Sequence, residues 1–121
     1  MEESILTSIK KLLGIAESYT QFDTDIVIHI NSVFAILSQL GLGPDEGFEI
    51  EDSTATWSDY IDSDDMKLLS SIKTYIYLKV RSYFDPPTSG TAMDAISQQI
   101  KELEWRLNVA VDPASDEDEE E

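Results

Sequence analysis

The chain has 121 residues, no cysteine and a formal net charge of −17 at pH 7. The length fits one domain, and the lack of cysteine excludes disulfide bonds and thiolate metal sites. No run of about 18 apolar residues predicts a membrane span, the N-terminal charge order is not that of a secretory signal, and so acidic a surface disfavours binding to DNA phosphates or anionic membranes.

The first forty residues carry two helical patterns. An apolar stripe with helical spacing predicts a first helix over about residues 3–13, and Gly14 is placed to end it. A longer stripe predicts a second helix over about residues 24–40, with Asp23 or Thr24 as its N-cap. The start of this second segment, DIVIHI, also alternates like a strand, but the length of the whole pattern favours a helix.

Residues 41–63 form a connector in which every charged residue is acidic. Phe48 and Ile50 alternate with acids, which indicates a short extended segment or a hairpin arm. The stretch TWSDYI is typical of a single helical turn capped by Thr56 or Ser58. A connector of this length inside one domain is uncommon and is often functional.

A third helix is predicted over about residues 64–84, and its apolar residues extend beyond one face, which indicates burial on more than one side. Pro86 and Pro87 must end it near Phe84, because proline disfavours helical geometry at the preceding residue. Few conformations remain for a connection of this kind. The break is therefore expected to form a rigid elbow before the next helix.

The fourth helix is predicted over about residues 91–107, where Thr91 and Asp94 resemble a capping box and Thr88 or Ser89 could also cap the helix. Its apolar residues form a narrow stripe suited to packing against another helix, and Trp105 lies outside that stripe. The predicted fold is all-α: a small bundle of about four helices with a long acidic connector and a disordered acidic C-terminal tail. Residues 1–107 would form the helical domain, and residues 108–121 a partner-binding extension and tail.

The sequence offers little catalytic chemistry, and neither an enzyme activity nor a cofactor is predicted. His29 is the only histidine and lies in an apolar helical stretch, which favours a structural role. The acids of DSDD (62–65) lack a calcium-loop pattern and suit the N-terminus of a helix dipole. Lys73 and Lys79 beside tyrosines resemble a face for single-stranded nucleic acid, but in so acidic a chain ion pairs with acids are the favoured interpretation.

Several runs of the chain resemble the head–tail connector, or adaptor, family of tailed bacteriophages, in the branch found in phages and prophages of Gram-positive bacteria. These runs are KTYIYLKVR, FDPPTS and IKELEWRLN, with HINSVFAILSQLGLGP and TWSDYI upstream. The resemblance covers roughly residues 5–110. The terminal ASDEDEEE is not typical of the family, and its role stays open.

The resemblance implies a virion protein that is monomeric or loosely associated in the host cytoplasm. It would form a dodecameric ring beneath the portal at the neck, without contacting a membrane. The ring would extend the channel for passing DNA, without sequence-specific binding, and would dock the tail through a tail-side connector or stopper protein. By analogy, three groups of residues are implied: a portal-binding group (Trp105, Arg106, Leu107, Val109 and Val111), a subunit interface (Tyr75, Lys79, Phe84, Asp85, Pro86 and Pro87) and an acidic lining or tail-facing extension (Asp45, Glu46, Glu49, Glu51 and Asp52).

Three alternatives remain open at this point. Trp105 would close the domain core instead of binding a partner. The net charge also suits an acidic regulatory protein, such as a DNA mimic that binds a basic host protein. A small magnesium enzyme built on DSDD is disfavoured because neither a metal-ligand pattern nor a substrate-binding loop is visible.

Overall fold

The computed structural model describes residues 4–44, 47–61, 66–84 and 87–111, apart from the side chains of Met66, Ala110 and Val111. Across these residues the regular structure is helical, which confirms the predicted all-α class. A bundle of three longer helices and one shorter helix is supplemented by a single turn in the connector. The helices are α1 (Ile5–Leu13), α2 (Asp23–Gln39), α3 (Trp57–Tyr60), α4 (Met66–Phe84) and α5 (Gly90–Val111).

The ends of α1 follow from local chemistry. At its start the Ser4 hydroxyl accepts a hydrogen bond from the Thr7 N–H at 3.2 Å, which satisfies one of the unpaired donors of the first turn. At its end Gly14 adopts a left-handed conformation with φ 83°, which a residue with a side chain rarely takes. The predicted stop at Gly14 is confirmed.

The predicted cap of α2 is wrong. The helix begins at Asp23 itself and has Phe22 at the N-cap position, where no side chain caps the helix. The Asp23 carboxylate is committed elsewhere, because its Oδ1 lies 2.8 Å from the ammonium nitrogen of Lys10 on α1. The Asp23 side chain, which was predicted to cap α2, instead forms an ion pair with α1.

The connector is tied to α1 rather than folded as a hairpin. Its described part contains no strand, and its only sheet-like contact is an isolated bridge between Ser4 and Thr56. The Ile5 N–H donates to the Ala55 carbonyl at 2.9 Å. The indole N–H of Trp57 donates to the Ser8 hydroxyl at 3.0 Å in the interior. The predicted turn at TWSDYI is confirmed as α3, with Thr56 at its N-cap.

Helix α4 is the central element and packs against α1, α2 and α5. Ile72, Tyr75 and Val80 on α4 are fully buried although they do not share one face, which confirms burial on more than one side. Tyr83 lies in the last turn of α4, at the edge of the core, and is 45 % exposed.

Helix α5 runs along α4 as an outer helix. Its first turn is capped by Ser89, one of the three predicted caps, whose hydroxyl accepts from the Ala92 N–H at 3.2 Å. The helix continues through the expected domain boundary at residue 107 to Val111. No helix among the described residues is long and apolar enough to span a membrane.

Candidate assembly surfaces

The exposed end of α5 carries most of the residues that the resemblance assigned to partner binding. Trp105 is 67 % exposed, so the alternative in which it closes the core is wrong. Val109 follows one helical turn later and is 42 % exposed, so the two side chains lie along one strip of the helix. Arg106 is exposed and pairs with Glu102 on the same helix, whereas Leu107 is buried against the core. The side chain of Val111 lies outside the described residues.

One interior hydrogen bond fixes how α5 lies on α4. The Tyr75 hydroxyl donates to Oε2 of Glu104 at 2.7 Å. Burial, and secondarily the Glu104 carboxylate, raise the pKa of Tyr75, so the hydroxyl stays protonated and remains a donor. Because Tyr75 is fully buried within the subunit, its ring is not on the surface where a neighbouring copy would contact it.

Of the other residues predicted at the subunit interface, three are described. The Lys79 ammonium lies 5.6 Å from the centre of the Tyr83 ring, in a cation–π contact. Phe84, the last residue of α4, and Pro87 are half-buried. Asp85 and Pro86 lie outside the described residues. The assignment of this group to a subunit interface stays a prediction.

A row of aromatic rings connects the elbow to the start of α2. The ring centres of Tyr19 and Phe22 are 5.7 Å apart, and those of Phe22 and Phe84 are 5.3 Å apart. His29 continues the row, 6.4 Å from Phe84 and 5.6 Å from Tyr83. His29 is therefore packed among aromatic rings, as a structural histidine would be.

Three rings of this row are exposed by more than a third: Tyr19, Phe22 and Tyr83. Beside the row lies an open groove of about 660 Å³, which we call the aromatic groove. Sequence reasoning missed it because the aromatic residues come from a loop, from the start of α2 and from the end of α4. The one signal in the sequence was the pair of aromatic residues in the short segment between α1 and α2. The groove is lined by Gly14, Ile15, Ala16, Tyr19, Phe22 and Phe84.

A buried lysine holds the loop that forms one wall of the groove. Lys10 is 2 % exposed, and its ammonium donates to the backbone carbonyls of Glu17 at 3.1 Å and Tyr19 at 2.8 Å. The carboxylate of Asp23 lies 2.8 Å away and supplies the opposing charge. A buried ammonium needs such partners, since an unpaired buried charge is costly. Lys10 therefore fixes the backbone on both sides of Tyr19.

The connector presents exposed acids from an anchored backbone. Asn31 on α2 accepts from the Ile50 N–H at 2.8 Å and donates to the Ile50 carbonyl at 3.0 Å. The Phe48 ring packs 5.1 Å from that of Phe34. Between and beyond these anchors the side chains of the expected acidic group face solvent: Glu49, Glu51 and Asp52. Asp45 and Glu46 lie outside the described residues.

Asp52 is further ordered by its neighbour Thr54. Its Oδ1 accepts from the Thr54 hydroxyl at 2.6 Å and from the Thr54 N–H at 2.9 Å. The hydroxyl, and then the N–H, hold the pKa of Asp52 below its usual value, so the carboxylate stays ionised. The assignment of this acidic group to a channel or a tail-facing surface stays a prediction.

Replacing Asn31 with alanine tests the anchor of the connector. Both backbone groups of Ile50 would lose their partner while the Ile50 side chain is buried, and we expect a loss of about 2 kcal/mol in the free energy of unfolding. Chemical denaturation followed by circular dichroism measures this loss. The matched control is Ser32→Ala, because Ser32 is exposed and its hydroxyl bonds only within α2. Equal stability of the two variants would contradict the anchoring role.

Within the described part of the chain, no group of three or more His, Asp or Glu side chains is arranged to hold a metal ion. The DSDD acids at 62–65 lie outside the described residues. The surfaces in view are thus apolar and aromatic patches and ordered acids, which are features of protein contacts.

Comparison with known families agrees with this character. A family model described as phage connector protein matches residues 5–114. The chain belongs to the phage connector protein family. The match spans nearly the whole chain and includes the five helices described above. No match was found among curated proteins or among solved structures.

Membership of the family favours a structural role over the alternatives of an acidic DNA mimic and a magnesium enzyme. It implies that this phage connector protein works at the neck of the virion, in contact with portal and tail proteins. The exposed end of α5, the aromatic groove and the anchored acids of the loop 47–61 are the surfaces available for those contacts.

Proposed function

We propose that this chain forms a ring of twelve copies beneath the portal of a tailed phage, where it extends the DNA channel and docks the tail. The observation that carries this proposal is the family match over residues 5–114. The surfaces support it, because a ring subunit needs different faces for its neighbours and for the proteins above and below it. The protein would have no catalytic activity and would act without a cofactor.

The C-terminal end of α5 and the residues after it form the proposed portal-facing part. Val109, in the last turn of α5, is exposed there and offers an apolar contact to the portal. The acids Glu49, Glu51 and Asp52 would line the channel or face a tail-side connector or stopper protein. An acidic lining suits a channel through which DNA must pass, since it repels phosphate.

Co-purification with the portal encoded by the same phage tests this function directly. We expect the protein to bind DNA-filled heads or isolated portal, and electron microscopy to show a ring beneath the portal. Binding should remain when the protein is supplied from the host cytoplasm without any added nucleotide or metal. A protein that binds no portal under these conditions would contradict the proposal.

The elbow between α4 and α5 gives a second test. Replacing both Pro86 and Pro87 with glycine loosens the connection, and each replacement costs roughly 0.4–1 kcal/mol through added chain entropy. We expect circular dichroism to show unchanged helix content and portal-bound assembly to weaken by about ten-fold. Pro44→Gly in the connector is the matched control. Unchanged assembly of the double variant would show that the elbow is only a convenient turn.

A further inference from the structure

The size and the largely apolar lining of the aromatic groove suit the binding of an apolar side chain. Its volume of about 660 Å³ falls within the range of roughly 300–1,000 Å³ that is typical of binding clefts. The wall of the groove is already ordered in the free chain. Lys10 holds the loop backbone at Glu17 and Tyr19. The Phe22 ring also packs edge-on against the Phe84 ring. A prearranged groove loses little conformational entropy when it is filled.

The same chain carries a side chain of matching chemistry at a different place. Trp105 projects from α5 with 67 % of its surface exposed, and Val109 extends the apolar strip by one turn. A tryptophan side chain can bury roughly 150–250 Å² on binding. It is the most exposed of the large apolar side chains in the described part of the chain.

The packing of α5 on α4 keeps Trp105 away from the aromatic groove of its own chain. The Tyr75–Glu104 hydrogen bond places Trp105 beside the middle of α4. Phe84 in the groove lies nine residues further along α4, which corresponds to about 13 Å at 1.5 Å per residue. Trp105 belongs to the outer helix and faces solvent, so its side chain would meet an aromatic groove on another copy.

The charges beside the two surfaces are complementary. Glu17 and Asp25 are exposed in and after the loop that forms the groove, Lys11 is exposed at the end of α1, and Lys10 is buried and already paired with Asp23. Trp105 is followed by Arg106, whose only described ion pair is a surface contact with Glu102 that is worth little and can be exchanged.

We propose that Trp105 of one copy inserts into the aromatic groove of a neighbouring copy. The two patches differ, so the contact is heterologous: each copy uses its Trp105 on one side and its groove on the other, as a closed ring requires. The inference rests on the proposed ring and names the side chains that close it. One tryptophan buries far less than a stable interface of about 1,200–2,000 Å², so the free protein associates weakly until a template gathers the copies.

Disulfide trapping tests the contact on the full chain, which has no native cysteine to interfere. One variant carries Asn108→Cys, an exposed position next to Trp105 on α5, and the other carries Thr20→Cys, an exposed position next to Tyr19. The control partner carries Ser53→Cys, which is exposed in the connector near the start of α1, far from the groove. A tag on one chain separates the mixed product by mass.

We expect the mixed 108–20 disulfide to form about ten-fold more than the 108–53 disulfide, at high protein concentration and about 0.5 M salt, where repulsion between the acidic chains is screened. Adding Trp105→Ala to the Asn108→Cys chain should reduce the yield to that of the control. This substitution should leave the thermal transition unchanged, because Trp105 is exposed.

Equal yields with the two partners, or a 108–20 yield that does not depend on Trp105, would overturn the inference. If no mixed disulfide forms and Trp105→Ala abolishes portal co-purification, Trp105 is a portal anchor; the inference is then wrong while the proposed function stands. A native chain that binds no portal would remove the proposed function instead, whatever the disulfide yields are.

Discussion

Replacing Lys10 with methionine is expected to lower the free energy of unfolding by about 3 kcal/mol, because breaking a buried ion pair leaves its remaining partners without compensation. Methionine fills much of the same space but cannot bond the carbonyls of Glu17 and Tyr19 or neutralise Asp23. In a chain of this size the loss corresponds to a fall of roughly 10 °C or more in Tm. Thermal and chemical denaturation measure it.

The neighbouring lysine provides the control for this experiment. Lys11 is exposed on the same turn of α1, and Lys11→Met removes the same charge from the chain. We expect that variant to stay within about 0.5 kcal/mol of the native protein. If the two variants were equally stable, the burial and the bonds of Lys10 would not matter for stability.

Replacing Gly43 with alanine is expected to cost about 3 kcal/mol. Gly43 has φ 86°, where a side chain is strained by about 1–2 kcal/mol. In addition, a Cβ at this position would stand 2.6 Å from Cε1 of Tyr60, well inside van der Waals contact. The Tyr60 ring cannot move aside easily, since it is buried and packed 4.6 Å from the Phe34 ring.

Gly47→Ala separates the two contributions to this cost. Gly47 has a similar φ of 91°, but nothing lies within 4 Å of the position that a Cβ would take. We expect Gly47→Ala to cost about 1–2 kcal/mol from backbone strain alone. The difference between the variants in chemical denaturation then measures the clash with Tyr60. Identical losses would show that the ring yields.

The helices could be predicted because their signals are local. Apolar spacing and the helix-ending Gly14 lie within a few residues of the structure that they determine. Pro86 and Pro87 act in the same way on the end of α4. The exposure of Trp105 was one of two open alternatives, because a position outside an apolar stripe does not reveal whether another element covers it.

The parts that sequence reasoning missed depend on contacts between distant segments. Nothing in the residues around Lys10 shows that its ammonium will bond two backbone carbonyls seven and nine residues later. The ion pair of Lys10 with Asp23 is also a contact between distant segments, and it occupies the carboxylate that was predicted to cap α2. The aromatic groove likewise exists only after the fold has brought Phe84 to Phe22. The resemblance to the family indicated a structural role, but it did not indicate this groove.

The described part of the connector, residues 47–61, is attached to the helices at three points. Asn31 holds Ile50 to α2, and five residues later the Ala55 carbonyl is bonded to the start of α1. Trp57 adds a third attachment through Ser8. A force applied to the acidic residues between these points, such as that of a docking tail, would pass directly into α1 and α2. Helix α1 also carries Lys10, which holds the loop beside the aromatic groove, so the acidic surface and the groove are anchored on the same helix.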